Sequence, residues 1–338
     1  MKNNDRIVFF SSGDFGIDTL KTLLINGANI VGVVTSNDTV KYHKERIEDI
    51  AKENGIPTYV VRQNNLEKED WLFSFLERAK ADIFCVISFK KLPLSITKLA
   101  KKCAFNIHAS LLPCLRGSAP IEWAIATGMK ETGLTAFVLD EKIDCGDILA
   151  NEKIKICKNE TYTSLFKKLM SRCVDFAHKV IEDILANNNY KNYLISQPDM
   201  RILPFASKID KQYFSDMWNH FAIQDAQSFV NIINSVNDRG FNCKIFVNGE
   251  TKDKEFDCKI WSAEVGEVIS SKDLKENRYN VIFTDNKTYL KIAFDEDQPC
   301  VNITKIQIAG KKVMGIADFL NGFRYFDMNK YITYFWGC

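Results

Sequence analysis

From Arg6 to Ser88 the chain repeats one pattern, a short and almost wholly apolar run followed by a stretch whose apolar residues recur at helical spacing. The runs are Arg6 to Phe10, Asn29 to Thr35, Pro57 to Val61 and Ile83 to Ser88. Between them the spacing predicts helices from Ile17 to Ile25, Ile47 to Asn54 and Asp70 to Ala79. A strand exposed on one face alternates apolar and polar residues, whereas a continuous run such as Asn-Ile-Val-Gly-Val-Val-Thr has to be covered on both faces. Strands of that kind separated by helices make an α/β fold, a mostly parallel Rossmann-like sheet. The first turn, Ser11-Ser12-Gly13-Asp14-Phe15-Gly16, lacks the glycines of G-x-G-x-x-G and so does not point to a nicotinamide dinucleotide. A P-loop pattern is absent as well.

The second half changes character. Tyr162 to Ala186 reads as one long amphipathic helix, with Leu165, Leu169, Val174, Ala177 and Ile181 close to a single stripe. Asn187-Asn188-Asn189 and the stretch through Pro198 and Pro204 form a polar, proline-punctuated connector. A helix from Ile223 to Ser235 precedes short runs separated by Asn, Gly and Asp turns: Cys243 to Asn248, Phe256 to Val265, Gly266 to Ser270, Asn280 to Thr284, Thr288 to Phe294 and Ile303 to Ala309. That spacing suggests a small OB-like β-barrel, closed by a helical turn from Ile316 to Asn321. A chain of 338 residues exceeds the ~100–200 of one domain. The expected organisation is a catalytic domain over 1–186, a connector over 187–210, a barrel domain over 211–326 and a tail over 327–338.

Charge and cysteine content exclude some classes. With 45 basic and 43 acidic residues the net charge is +2, which leaves room for a local basic patch but does not announce a nucleic-acid binder. The ten cysteines form no C-x-x-C pair or zinc-ligand cluster, so they are expected as reduced, small core residues, and no metal is expected. No apolar run approaches the ~20 residues that span a bilayer, and Met1 to Arg6 leads straight into a strand. A cytoplasmic protein without membrane contact is expected, acting as a monomer.

Polar residues gather where a buried strand ends, in Phe105-Asn106-Ile107-His108-Ala109-Ser110-Leu111-Leu112-Pro113. Asn106 and His108 are two residues apart, so on a strand they leave the same face and together can grip a carbonyl oxygen. The chain has four histidines, and His108 is the one inside a dense polar constellation. Asp144 and Asp147 bracket a glycine in the turn Ile143-Asp144-Cys145-Gly146-Asp147-Ile148. A carboxylate beside an imidazole fixes its tautomer, and such a set can orient a nucleophile and stabilise an oxyanion. Turn chemistry is the simple alternative for both aspartates; for Asp147 it accounts at least as well as catalysis, and for Asp144 the weighing depends on the wider pattern.

Four motifs in order decide between these readings: the Phe105 to Pro113 segment, Arg116-Gly117-Ser118-Ala119-Pro120-Ile121, Thr132-Gly133-Leu134-Thr135 and Ile143-Asp144-Cys145-Gly146-Asp147. Together they resemble the folate-dependent formyltransferases. The resemblance implies the formyltransferase fold, a catalytic triad of Asn106, His108 and Asp144, and a 10-formyltetrahydrofolate pocket along Ser110, Leu111, Leu112 and Pro113. Phe89 and Leu92 match the loop on the pterin side. Gln197-Pro198 with Ala206-Ser207-Lys208-Ile209, and the stretch from Ile306 to Met314 with Phe319-Leu320-Asn321-Gly322, are similar to the connector and the barrel end of the members acting on methionyl-tRNA. The implied acceptor is therefore the α-amine of initiator methionyl-tRNA, with Lys41, Lys44, Arg46, Lys311 and Lys312 as candidate phosphate contacts. The loop from Thr35 to Arg46 is shorter than the family's and lacks glycine and proline. Two other readings stand beside this one: a sugar-nucleotide N-formyltransferase with the same triad, and a non-catalytic relic that binds tRNA or folate.

Overall fold

The computed structural model describes residues 5–36, 40–63, 65–187, 189–198, 205–209, 225–247, 254–269, 281–294, 297–322 and 333–337. The chain divides into two compact units. The first takes Met1–Pro120, Glu131–Lys155 and Phe166–Ala206; the second takes Ile121–Lys130, Ile156–Leu165 and Ser207–Cys338. Residues 121–130 and 156–165, which fall inside the expected catalytic domain, thus go with the second unit.

In the first unit the apolar runs form β1 (Ile7–Ser11), β2 (Ile30–Ser36), β3 (Thr58–Val61) and β4 (Ile83–Ile87), followed by β5 (Cys103–His108), β6 (Glu131–Val138) and β7 (Ile148–Lys155). The helices are α1 (Ile17–Ile25), α2 (Ile47–Glu53), α3 (Asp70–Ala79), the short α4 (Leu94–Thr97), α5 (Pro120–Ala126) and α6 (Tyr162–Ala186), the last two crossing between the units. The strand order is β3-β2-β1-β4-β5-β6-β7. The first five strands are parallel, and β6 and β7 run antiparallel to their neighbours. Every residue of β1 and β4 is buried, as continuous apolar runs require when both faces are covered. Phe10 packs its ring 5.1 Å from Phe84 and 5.8 Å from Phe89, in a core that α3 completes with Leu72 and Leu76. Strand order reverses at β1, so the carboxyl ends of β1 and β4 open side by side, the usual place for a ligand in such sheets. The Ser12 N–H donates to the Ser88 carbonyl across that opening, at 3.1 Å.

The second unit holds α7 (Ala226–Ser235), whose start is capped by Asp225 accepting the Ser228 N–H at 2.8 Å. The helix is expected from Ile223, but residues 223 and 224 lie outside the described ones. Its strands are β8 (Phe241–Val247), β9 (Lys254–Val268), β10 (Val281–Thr284), β11 (Leu290–Ala293), β12 (Pro299–Ile308), β13 (Met314–Gly315) and, after α8 (Ile316–Gly322), β14 (Thr333–Gly337). They pair antiparallel in the order β11-β10-β14-β8-β9-β12-β13, and a further β11–β12 pairing closes the ring into a barrel. Phe241, Cys243 and Ile245 alternate inward along β8, and Phe229 of α7 meets Phe241 at 5.6 Å and Phe294 at 5.3 Å.

Two details differ from expectation. Gly266 does not separate two strands: β9 runs through it, and a Cβ there would press on Cys300 and Asn302, so the glycine serves close approach to β12. The strand end expected at Ser270 and the start at Asn280 lie outside the described residues. Within the expected tail, Thr333–Gly337 is a barrel strand that pairs with β8 and β10.

Phe10→Ala removes a fully buried ring, which costs about 3–5 kcal/mol. The expected outcome is faster amide exchange throughout β1 and β4, measured by mass spectrometry against the unaltered chain.

Candidate active site

Strand β5 positions the first two groups. Phe105 and Ile107 are buried, and between and beyond them Asn106 and His108 share the other face. Asn106 is half-buried, and no described residue hydrogen-bonds its side-chain amide. His108 is only 7% exposed. Its Nε2 lies 2.8 Å from the Leu115 carbonyl, which can only accept, so Nε2 carries a proton and Nδ1 faces the other way. There Nδ1 stands 3.8 Å from Asp144 Oδ2.

The chain after β5 folds back under His108. Leu115 adopts a left-handed backbone at φ 57°, and the Leu112–Pro113 bond is cis. Ser110 donates its hydroxyl to the Cys114 carbonyl at 2.6 Å. The buried Thr135 of β6 donates to the Ser110 carbonyl at 2.7 Å and accepts the Leu112 N–H at 3.1 Å. Gly133 on the same strand leaves the space that Leu111 occupies, because a Cβ there would run into the Leu111 side chain.

Asp144 arrives from the turn between β6 and β7 with φ 53°. Its Oδ2 accepts the Gly117 N–H at 2.8 Å. Gly146 lies so close to Val138 that a side chain would run into the Val138 carbonyl. Gln197 donates to the carbonyls of Asp144 and Gly146 at 3.1 and 2.7 Å, and its Oε1 accepts from Arg116 Nε and Nη2 at 3.2 and 2.7 Å. Asp147 contributes its carbonyl to the Val138 N–H at 2.9 Å, the turn role that its sequence context suggested. Thr135, Arg116 and Gln197 are therefore part of the site although their roles were not legible in the sequence. Their only signal was that each sits in a motif.

The remaining candidates divide by burial. Leu92 is in the core beside Phe10 and Phe84, and Leu112 packs on Phe137 and Ile148. Ser110 is buried and its hydroxyl is spent within the turn. Leu111, Pro113 and Phe89 keep part of their surface exposed at the strand ends. These three offer apolar wall, and the others support it from behind.

The basic candidates lie apart from this cluster in sequence. Lys41 and Lys44 are exposed, and Arg46 pairs with Glu48 at 3.1 Å. Their loop is tied down by Asp14, whose carboxylate accepts the N–H groups of Lys41, Tyr42 and His43 at 2.6, 2.7 and 2.9 Å and contacts His43 Nδ1 at 2.9 Å. His43 Nε2 reaches Asp18 at 3.1 Å. Burial pushes the Asp14 carboxyl up, but these donors outweigh it and hold the group below its usual range. Lys311 and Lys312 are exposed in the turn between β12 and β13 of the second unit. Among the described residues no group of three or more His, Cys, Asp or Glu side chains is placed to hold a metal ion.

The sequence matches the family described as Formyl transferase over residues 5–185 and that described as Formyl transferase, C-terminal domain, over residues 221–324. Methionyl-tRNA formyltransferase of Azobacteroides pseudotrichonymphae is 32% identical to this chain over 340 residues, covering 95% of this chain and 96% of the relative. That of Phocaeicola vulgatus is 30% identical over 346 residues, covering 97% and 99%. Among solved structures, an N-formyltransferase from Helicobacter canadensis in complex with folinic acid and dTDP-3-aminofucose matches with a TM-score of 0.62 at 17% identity, covering 88% of this chain and 99% of that one. At that identity the likeness is one of fold.

Because Asp14 is held below the ordinary carboxyl value of 3.8, its hold on the loop is complete above that value and is lost as pH falls through the lowered one. Hydrogen bonds to a charged group contribute ~1.5–3 kcal/mol each. Asp14→Asn is accordingly expected to raise the rate of tryptic cleavage after Lys41 and Lys44 by roughly 10–100-fold at neutral pH, read by peptide mapping under native conditions.

Proposed function

The chain belongs to the formyltransferase family, over both its N-terminal and its C-terminal domains, and on that premise we propose that it transfers a formyl group from 10-formyltetrahydrofolate to the α-amine of methionine carried by initiator tRNA. The observation that carries this reading is the junction at the end of β5. An Asn106 amide with no hydrogen-bond partner among the described residues, an imidazole with Nε2 committed to backbone and a half-buried carboxylate 3.8 Å from its Nδ1 converge there. That donor set fits a carbonyl whose oxygen gains negative charge, and the exposed parts of Phe89, Leu111 and Pro113 fit the ring end of a folate.

The folate, when bound, supplies an activated formyl carbonyl. Asn106 donates an amide N–H to its oxygen, and His108 with a proton on Nδ1 is the second donor. Asp144 holds the imidazole by charge, since 3.8 Å is longer than a hydrogen bond. Its carboxylate keeps accepting capacity beyond the Gly117 N–H and takes the proton of the attacking amine, directly or through water. As the formyl carbon's bond to the folate nitrogen breaks, that proton passes on to the departing nitrogen, which leaves as tetrahydrofolate. Gly117 and the 109–115 turn keep both groups in place.

The acceptor is assigned on the relatives that share about 30% identity across almost the whole chain, which are methionyl-tRNA enzymes. The sugar-nucleotide alternative shares the fold, at 17% identity. A binding-only relic gives no chemical reason to bring Asn106, His108 and Asp144 together. The exposed Lys41 and Lys44 and the half-buried Arg46, with Lys311 and Lys312, are proposed to meet RNA phosphates. The enzyme is taken to work as a monomer in the cytoplasm; no helix among the described residues is long and apolar enough to cross a membrane.

Asn106→Ala and His108→Ala are each expected to lower the transfer rate by ~10²–10³ while the thermal unfolding profile stays unchanged. The assay is formyl transfer from 10-formyltetrahydrofolate to methionyl-tRNA, run beside an amino-sugar nucleotide; preference for the sugar would overturn the acceptor assignment. Neutralising Lys41, Lys44 and Arg46 together should flatten the salt dependence of tRNA binding, by ~0.7–0.9 in log–log slope for each phosphate no longer neutralised.

A further inference from the structure

We infer that Gln197 is a positioning residue for the reaction, an amide clamp that holds the Asp144 turn in its working conformation. The inference rests on the assignment of Asp144 as the group that takes the amine's proton. Asp144 stands at φ 53°, a backbone conformation that L side chains rarely adopt. The turn that imposes it wraps around one side chain: Gln197 Nε2 donates to the carbonyls of both Asp144 and Gly146, at 3.1 and 2.7 Å.

The amide cannot be the other way round. Two carbonyls only accept, so the end facing them is the NH2, and the end facing the Arg116 fork, which only donates, is the oxygen. Arg116 therefore sets the orientation of Gln197, and Gln197 sets the turn. The residue next to Arg116 acts on the carboxylate itself, through the Gly117 N–H on Asp144 Oδ2 at 2.8 Å. One dipeptide thus reaches Asp144 twice, once at its side chain and once, through Gln197, at its backbone.

Both ends of the clamp are anchored. Ile195, two residues before Gln197, exchanges N–H and C=O bonds of 2.8 and 3.0 Å with Ile148 at the start of β7, immediately after the Asp144 turn. The Arg116 carbonyl accepts the Ala206 N–H at 2.7 Å, and Gly117, at φ 122°, lies so close to Ala206 that a Cβ would come within 2.5 Å of its carbonyl oxygen. Ile195, Gln197 and Ala206 are therefore built into the site. Gln197 binds the backbone of Asp144 and not its carboxylate, which makes its role positioning and not catalytic.

The test is a double-mutant cycle in steady-state formyl transfer to methionyl-tRNA. Gln197→Met keeps the side-chain length and removes the amide. It is expected to lower kcat roughly tenfold or more while KM for either substrate moves less than about threefold. In an Asp144→Asn background the same substitution should cost less than about twofold further, because the group it positions is already gone. If Gln197→Met does not fold, as judged by circular dichroism, Arg116→Lys applies the same cycle by removing the fork while keeping the charge. A wild-type kcat in the single variant, or equal losses in both backgrounds, overturns the clamp. Retained activity in Asp144→Asn instead overturns the assignment beneath it, and the clamp with it.

Discussion

Burial of β1, β4 and β5 constrains everything else in the first unit. Their backbone groups are spent in sheet ladders, parallel except where β5 meets β6, and their side chains, Asn106 apart, are buried. Polar chemistry can then emerge only where the ladders stop. At those carboxyl ends lie the Gly13–Asp14 turn, Ser88 with its positive φ, and the 109–116 turn beneath His108. The apolar runs thus decide the position of the site before any of its residues is considered.

What the strand ends leave open, the antiparallel part of the sheet closes. β6 supplies Thr135, whose hydroxyl stitches the turn after β5, and Gly133, which leaves room for Leu111. The β6–β7 turn then delivers Asp144 in a left-handed backbone. Such strain persists only where surrounding contacts over-determine it. Here Gly117, Gln197 and the cramped Gly146 do so together. The acid partner of His108 is held by its neighbours more than by its own preference.

Much of this was legible in the residues alone. The strands β1 to β4 fall within a residue or two of the apolar runs, and α1, α3 and α6 coincide with the stretches of helical spacing. Asn106 and His108 share a face because strand period is two. Less legible were features that depend on where distant segments meet. Gly266 looked like the start of a separate strand and is a close contact inside β9; residues 333–337 looked like a tail and form β14. Leu92 and Leu112 carry the same apolar signal as Leu111, yet burial in the core separates them from it.

The sequence by itself determined the layered first unit, the barrel-like second one, and the shared face of Asn106 and His108. These follow from periodicity, which is a property of neighbouring residues. Only the tertiary structure decided that His108 gives Nε2 to Leu115, that Asp144 stands opposite its Nδ1, and that Gln197 joins Arg116 from 81 residues away. No local spacing encodes such meetings. They exist because the sheet fixes where each strand ends, and the chain leaving one end must satisfy its polar groups with whatever the fold brings to the next.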